Sequence, residues 1–177
     1  MYQDLKRYTT GQGFLNNFKT IRKSPGARFM FYLRGCEKYT KKNPLGVLYR
    51  MLYAVISSQY NVELPHTTSI GKGLYFGHFK NITINQNTVI GENCNIMQGV
   101  TIGNESRGKR KGTPIIGDRV LIGPNSVVVG KIKIGNDALI APLTFVNFDV
   151  PANAVVLGNP AKIIGDNGSS GYLKNLI

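Results

Sequence analysis

Of the two histidines in this 177-residue chain, one stands where chemistry is expected. His78 lies in the run Gly77-His78-Phe79, at a point where an otherwise regular spacing slips. A neutral imidazole near pH 7 is a natural general base for a hydroxyl group. Glu63 stands fifteen residues earlier, close to one turn of the coil described below. A carboxylate there either holds the imidazole tautomer and favours its protonated form, or lies beside an unrelated histidine. His66 follows Pro65 without a companion and reads as structural or exposed. A second cluster, Lys109-Arg110-Lys111, sits between Gly108 and Gly112. The stretch Asn104–Thr113 that contains it is polar and basic, and reads as a protruding loop. Cys36 and Cys94 are too few for a disulfide framework and suggest a reducing compartment.

The element that must position these groups is a repeat. An aliphatic residue recurs every six positions at Ile84, Ile90, Ile96 and Ile102, then at Ile116, Ile122, Val128, Ile134, Ile140 and Val146. Neither a helix nor an ordinary strand has that period. With glycine following at Gly91, Gly117, Gly123 and Gly135, the pattern predicts a parallel β-helix, one flat face per hexapeptide. Cys94 falls in a column with Thr88, Val100, Val120, Ser126, Ala138 and Thr144, so it reads as a small core filler. The β-helix is expected over residues 61–165, starting near Val62. Phe76 to Ile84 is a step of eight, placing a two-residue bulge at His78. Ile102 to Ile116 is fourteen, two more than two clean repeats, and the basic loop is expected to fill the excess.

Residues 1–60 read as an α-helical region, with Ser24-Pro25 and Asn43-Pro44 as start signals. The stripe Val47, Leu48, Met51, Leu52, Val55 and Ile56 predicts a helix packed on its own protein, on a sister subunit or on a membrane. Of 22 Lys/Arg, eleven lie in residues 1–60 against two acids, so the net charge of +13 is mainly N-terminal. That charge suits an anionic membrane surface, an anionic substrate or a phosphate-bearing cofactor; no motif supports nucleic acid. The tail 166–177 is expected to form a short helix and to cap the far end of the stack. Without a membrane-spanning run or a signal-peptide core, a cytoplasmic location follows, at most peripheral at the inner membrane face.

Residues 62–165 resemble the hexapeptide-repeat acetyltransferases, nearest the serine acetyltransferase branch. The resemblance rests on Val62-Glu63-Leu64, Ile70-Gly71-Lys72-Gly73, Gly77-His78, Ile96-Met97-Gln98-Gly99-Val100-Thr101-Ile102-Gly103 and Gly158-Asn159-Pro160-Ala161. It implies a mainly β fold built on a left-handed β-helix, acetyl-CoA as co-substrate, and a homotrimer with sites between subunits. It also implies His78 as the base and Glu63 as its orienting carboxylate. A backbone N–H near Gly103 or Asn104 would stabilise the oxyanion. Acetyl-CoA would lie along Gly123, Ala141, Gly158 and Pro160, with Lys109, Arg110, Lys111 and Lys162 for its phosphates or for an anionic acceptor. Thr113, before Pro114, stands where that branch has a second active-site histidine, and Gly77 stands where it has an aspartate. These departures, the short helical region and the Gly108–Gly112 loop point to a sugar or polysaccharide O-acetyltransferase. Serine O-acetyltransferase and a non-catalytic β-helix scaffold are the alternatives. A metal-dependent carbonic anhydrase of this fold needs three histidine ligands, so no metal is expected.

Overall fold

The computed structural model describes residues 2–11 and 13–177; Met1 and Gln12, within the expected helical region, lie outside them. Short, mostly parallel strands form three sheets, and from Val62 to Val146 the chain visits the sheets in strict rotation. The first face begins with Val62–Glu63, the second with Ser69–Ile70 and the third with Tyr75–Gly77. All ten aliphatic residues of the six-step ladder point inward and are buried. Ile84, Ile102, Val128 and Val146 stack on the first face, and Phe76, Ile96, Ile122, Ile140 and Val156 on the third. Each such side chain contributes about 1.5–3 kcal/mol on leaving water. The small-residue column, Cys94 included, is buried beside it.

Register measures the slips. Lys133 pairs with Ile115 eighteen residues back, the undisturbed coil. Ile82 pairs with Val62 twenty residues back, confirming a two-residue excess in the coil that holds His78. Val127 pairs with Thr101 twenty-six residues back. The basic loop is therefore an insertion of eight residues within one hexapeptide, not of two across a pair of repeats. Ile102 and Ile116 occupy successive faces. The loop closes on itself as a small hairpin, with paired backbone bonds between Glu105 and Gly112 of 2.9 Å each.

The corners explain the glycines. A Cβ on Gly91 would come within 2.6 Å of the Gly117 backbone of the next coil, so the column has no room for a side chain. The left-handed backbone needed at the next residues is taken instead by Asn93, Arg119, Asp137 and Asn153. Asn and Asp tolerate that region through short polar side chains.

Three helices precede the prism: α1 (Phe14–Lys23), α2 (Pro25–Lys38) and α3 (Pro44–Tyr60), after a 3-10 helix at Asp4–Tyr8. Ser24 and Asn43 cap α2 and α3 through their side-chain oxygens, with proline at the first helical position, as their sequences predict. Helix α2 covers the open end of the first coil. Its Phe29 meets Phe76 edge-on at 5.6 Å and Phe79 at 4.7 Å between ring centres. The stripe of α3 divides: Ile56 is buried, whereas Val47, Leu48, Met51 and Val55 face outward. Helix α1 is inverted, with Thr20 buried and Phe14, Leu15 and Phe18 exposed. No described helix is long and apolar enough to cross a membrane.

The tail departs from expectation. No helix forms after Gly165. Instead, Val155–Gly158 and Ala161–Gly165 make an antiparallel hairpin around a cis Asn159-Pro160 bond. The chain then runs back along one corner of the prism rather than capping its far end. Ser169 donates to the carbonyls of Asp137 at 2.8 Å and Arg119 at 2.7 Å. Ile177 exchanges bonds of 2.8 and 2.9 Å with the Asn93 side chain. The corner's carbonyls at Arg119 and Asp137 and the Asn93 side-chain amide fix this path, and they are invisible as a sequence pattern.

Burial pushes the Cys94 thiol from 9.0 up to about 12, and the Cys36 thiol is also raised by burial. Both thiols should therefore remain protonated and unlabelled by iodoacetamide at pH 8 in the native protein, and react fully in denaturant. Mass spectrometry of the alkylated protein checks this; native labelling of Cys94 would contradict its place in the core.

Candidate functional site

His78 and Phe79 are the two inserted residues, and they divide the work of the bulge. The regular corner falls at Asn81, whose left-handed backbone matches that of Gly99 and Asn125 in the following coils. Phe79 turns inward against Phe29, Phe76 and Tyr60 and is buried. His78, itself left-handed at φ 51°, is exposed. The buried phenyl ring thus anchors the segment that presents the imidazole. The expectation from sequence noticed the slip but not this anchor. An aromatic residue beside a glycine-flanked histidine was the available signal.

The imidazole stands on the wall of a cavity of about 590 Å³. Tyr75, Asn95, Met97 and Leu121 from the third face form one side of it. Arg7 and Tyr8 of the 3-10 helix and Tyr172 and Lys174 of the tail form another. The Tyr8 hydroxyl accepts from the Phe76 N–H at 2.9 Å, and burial pushes its pKa well up, so it stays a neutral phenol. Along the same face a second groove of about 510 Å³ is lined by Gly123, Ala141, Leu139 and Pro142. Met97, Leu121 and Tyr172 border both spaces, so the two adjoin.

The other expected site residues are distributed differently. Glu63 pairs with Thr83 on the first face, and among the described residues no hydrogen bond joins its side chain to His78. Gly123 and Ala141 line the groove as expected. Gly158, Pro160 and Lys162 belong to the far hairpin, outside both spaces. Asn104, Lys109, Arg110 and Lys111 lie on the inserted loop, where Arg110 pairs with Glu105 at 3.3 Å. That loop leaves the first face at its downstream edge, and His78 precedes the upstream edge. Within one chain the two are held apart. Thr113 turns its hydroxyl back onto the Asn87 carbonyl at 2.9 Å.

The fold is a parallel β-helix, and the family described as bacterial transferase hexapeptide (six repeats) matches residues 113–147 of it. Serine acetyltransferases are among the chain's homologues. Serine acetyltransferase 4 of Arabidopsis thaliana is 36% identical over 114 residues, covering 64% of this chain and 32% of that protein. The Staphylococcus epidermidis serine acetyltransferase is 35% identical over 127 residues, covering 72% and 60%. The chain therefore spans about a third to three fifths of the length of these relatives. The Brucella abortus serine acetyltransferase in complex with coenzyme A superposes with a TM-score of 0.74 at 25% identity, covering 93% of this chain and 66% of that one. The Neisseria gonorrhoeae enzyme in complex with serine gives 0.67 at 30% identity, covering 81% and 58%.

These likenesses overturn the sugar or polysaccharide acceptor expected from sequence, and with it a place in polysaccharide synthesis. The relatives are serine acetyltransferases.

Proposed function

We propose that the chain is an acetyl-CoA-dependent O-acetyltransferase whose acceptor is the hydroxyl of serine. The observation that carries this reading is His78 on the wall of a cavity that opens onto the Gly123–Ala141 groove. The likeness to serine acetyltransferases holding coenzyme A or serine supports both substrates. Acetyl-CoA lies along the groove with its thioester at the cavity. His78 takes the proton from the serine hydroxyl as that oxygen attacks the thioester carbonyl. The tetrahedral intermediate collapses, the carbon–sulfur bond breaks, and the imidazolium returns the proton to the departing thiolate. O-acetylserine and coenzyme A leave, and His78 is neutral again. No covalent acyl-enzyme is involved.

A homotrimer belongs to the same reading. A neighbouring copy would bring its basic loop, with Lys109 and Lys111, to the His78 edge that its own prism keeps distant. Arg110 is partly engaged by Glu105 and contributes less.

The test is thiol release from acetyl-CoA, followed with a thiol reagent, with and without L-serine. Serine-dependent release, with O-acetylserine identified by mass spectrometry, is the expected result. Release unchanged by serine would overturn the acceptor assignment, and no release with any hydroxyl compound would favour a binding scaffold.

A further inference from the structure

Helix α1 turns its apolar residues away from the protein. Phe14 and Leu15 are each 74% exposed, and Phe18 is 59% exposed. At helical spacing these three and the half-buried Ile21 share one side, an arc of about 120°. Asn16 and Thr20 lie on the opposite side, and that polar side is the one fastened to the fold. Asn16 donates to the Thr9 hydroxyl at 3.1 Å, and Thr20 is buried. Arg28 of α2 donates to the carbonyls of Ile21 at 3.1 Å and Arg22 at 2.9 Å, which holds the last turn. The outward orientation is thus set by specific bonds.

Cations frame the exposed side. Arg22 falls within the apolar arc, Lys19 stands beside it and Lys23 closes the helix; all three are exposed. None of the salt bridges among the described residues includes them. Helix α1 contains no acid. The two elements packed against it, the 3-10 helix and α2, hold one acid each, Asp4 and Glu37, and Arg34 binds both.

An apolar side with unpaired cations and no acid complements an anionic bilayer. Such a surface offers acyl chains to the rings and phosphates to the cations within one shallow layer. A second copy of the chain would instead set these cations against their own kind. The outward stripe of α3 lacks the charged half of the pattern. Arg50 is the only charged residue of that helix, and its guanidinium is tied to the carbonyls of Cys36, Tyr39 and Gly46.

We infer that α1, rather than α3, docks the chain flat on an anionic phospholipid surface. Phe14, Leu15 and Phe18 enter among the acyl chains, and Lys19, Arg22 and Lys23 meet the phosphates. With ten residues, a length of about 15 Å, the helix lies in the interface and does not cross it. The docking does not rest on the catalytic reading above.

Flotation of the full chain with vesicles tests it, with phosphatidylcholine alone against phosphatidylcholine mixed with phosphatidylglycerol. Binding should be at least about tenfold stronger to the anionic vesicles, because each basic residue near such a surface adds about fivefold. Lys19→Gln combined with Lys23→Gln should weaken it about tenfold or more. Phe14→Ser combined with Phe18→Ser should do the same, whereas Met51→Ser on α3 should change nothing. All these side chains are exposed, so the melting temperature should stay in place. The chain has no tryptophan, so Phe14→Trp supplies a single reporter. Its emission should move to the blue with anionic vesicles and be quenched by lipids brominated in the acyl chain. Equal binding to the two vesicle types overturns the docking. Full binding by the paired serine variant does so too, since the net charge of +13 would then attract lipid without α1. A blue shift with soluble polyglutamate in place of vesicles would put an acidic polypeptide on this face. Self-association that the paired serine variant abolishes would put a second copy there. Either result overturns the inference.

Discussion

Replacing His78 by Asn should lower serine-dependent thiol release by about 10²–10⁴-fold, the usual contribution of a positioned general base. Asparagine is the informative choice. The backbone at residue 78 has φ 51°, a region that Asn enters more readily than Ala. His78 is exposed, and Phe79 rather than the imidazole holds the bulge in place. Far-ultraviolet dichroism and the melting temperature should therefore stay within error of the unaltered protein. KM for acetyl-CoA should change little, because the groove at Gly123 and Ala141 is untouched. Rate loss with intact structure would assign the proton transfer to residue 78. Turnover retained within tenfold would move the base elsewhere in the cavity.

Replacing Arg34 by Ala should be the most damaging single change to stability. Its guanidinium binds Asp4 through Nε at 3.0 Å and through Nη2 at 3.3 Å. It also meets Glu37 at 3.0 Å and donates to the carbonyls of Ile70 and Gly71. Asp4 in turn accepts from the Gly73 N–H at 2.7 Å. One side chain thus ties the 3-10 helix, α2 and the first coil together. Its removal leaves the Asp4 carboxylate buried without an opposite charge, a loss of about 3–5 kcal/mol. In a chain of this size that corresponds to a fall of about 10 °C in melting temperature. Asp4→Asn combined with Arg34→Ala should recover part of the loss, because the orphaned charge is gone. A double variant no more stable than the single one would show that lost packing, not the uncompensated carboxylate, dominates.

Much of the architecture was legible because it is periodic. The stack is a column of Ile and Val at a step no helix or simple strand can produce, and every predicted member is inward. The two-residue slip was legible for the same reason, since a short error stands out against a regular count. The eight-residue insertion was misjudged because fourteen residues are close to two repeats of six. Only the pairing of Val127 with Thr101 distinguishes one long corner from two ordinary ones. Arg7 was hidden among eleven basic residues that the sequence offers only as a summed charge. What sets it apart is burial against Asn95 and Lys174, a contact with no periodic signature. Helix α1 was misleading in another way. Its apolar Phe14, Leu15 and Phe18 face outward, whereas Thr20 faces the protein. Amphipathic spacing identifies a face but does not say which side of the molecule it meets.

The return path of the tail also bears on the order in which the molecule completes itself. Each coil closes on its neighbour across a sequence separation of sixteen to twenty-six residues, so winding can proceed by short steps. The bond from Arg7 to the Lys174 carbonyl spans 167 residues. It can close only after every intervening coil has stacked and the tail has descended the whole corner. A partly wound chain already carries His78 but lacks one wall of its cavity. The complete cavity is thereby a property of the finished molecule alone.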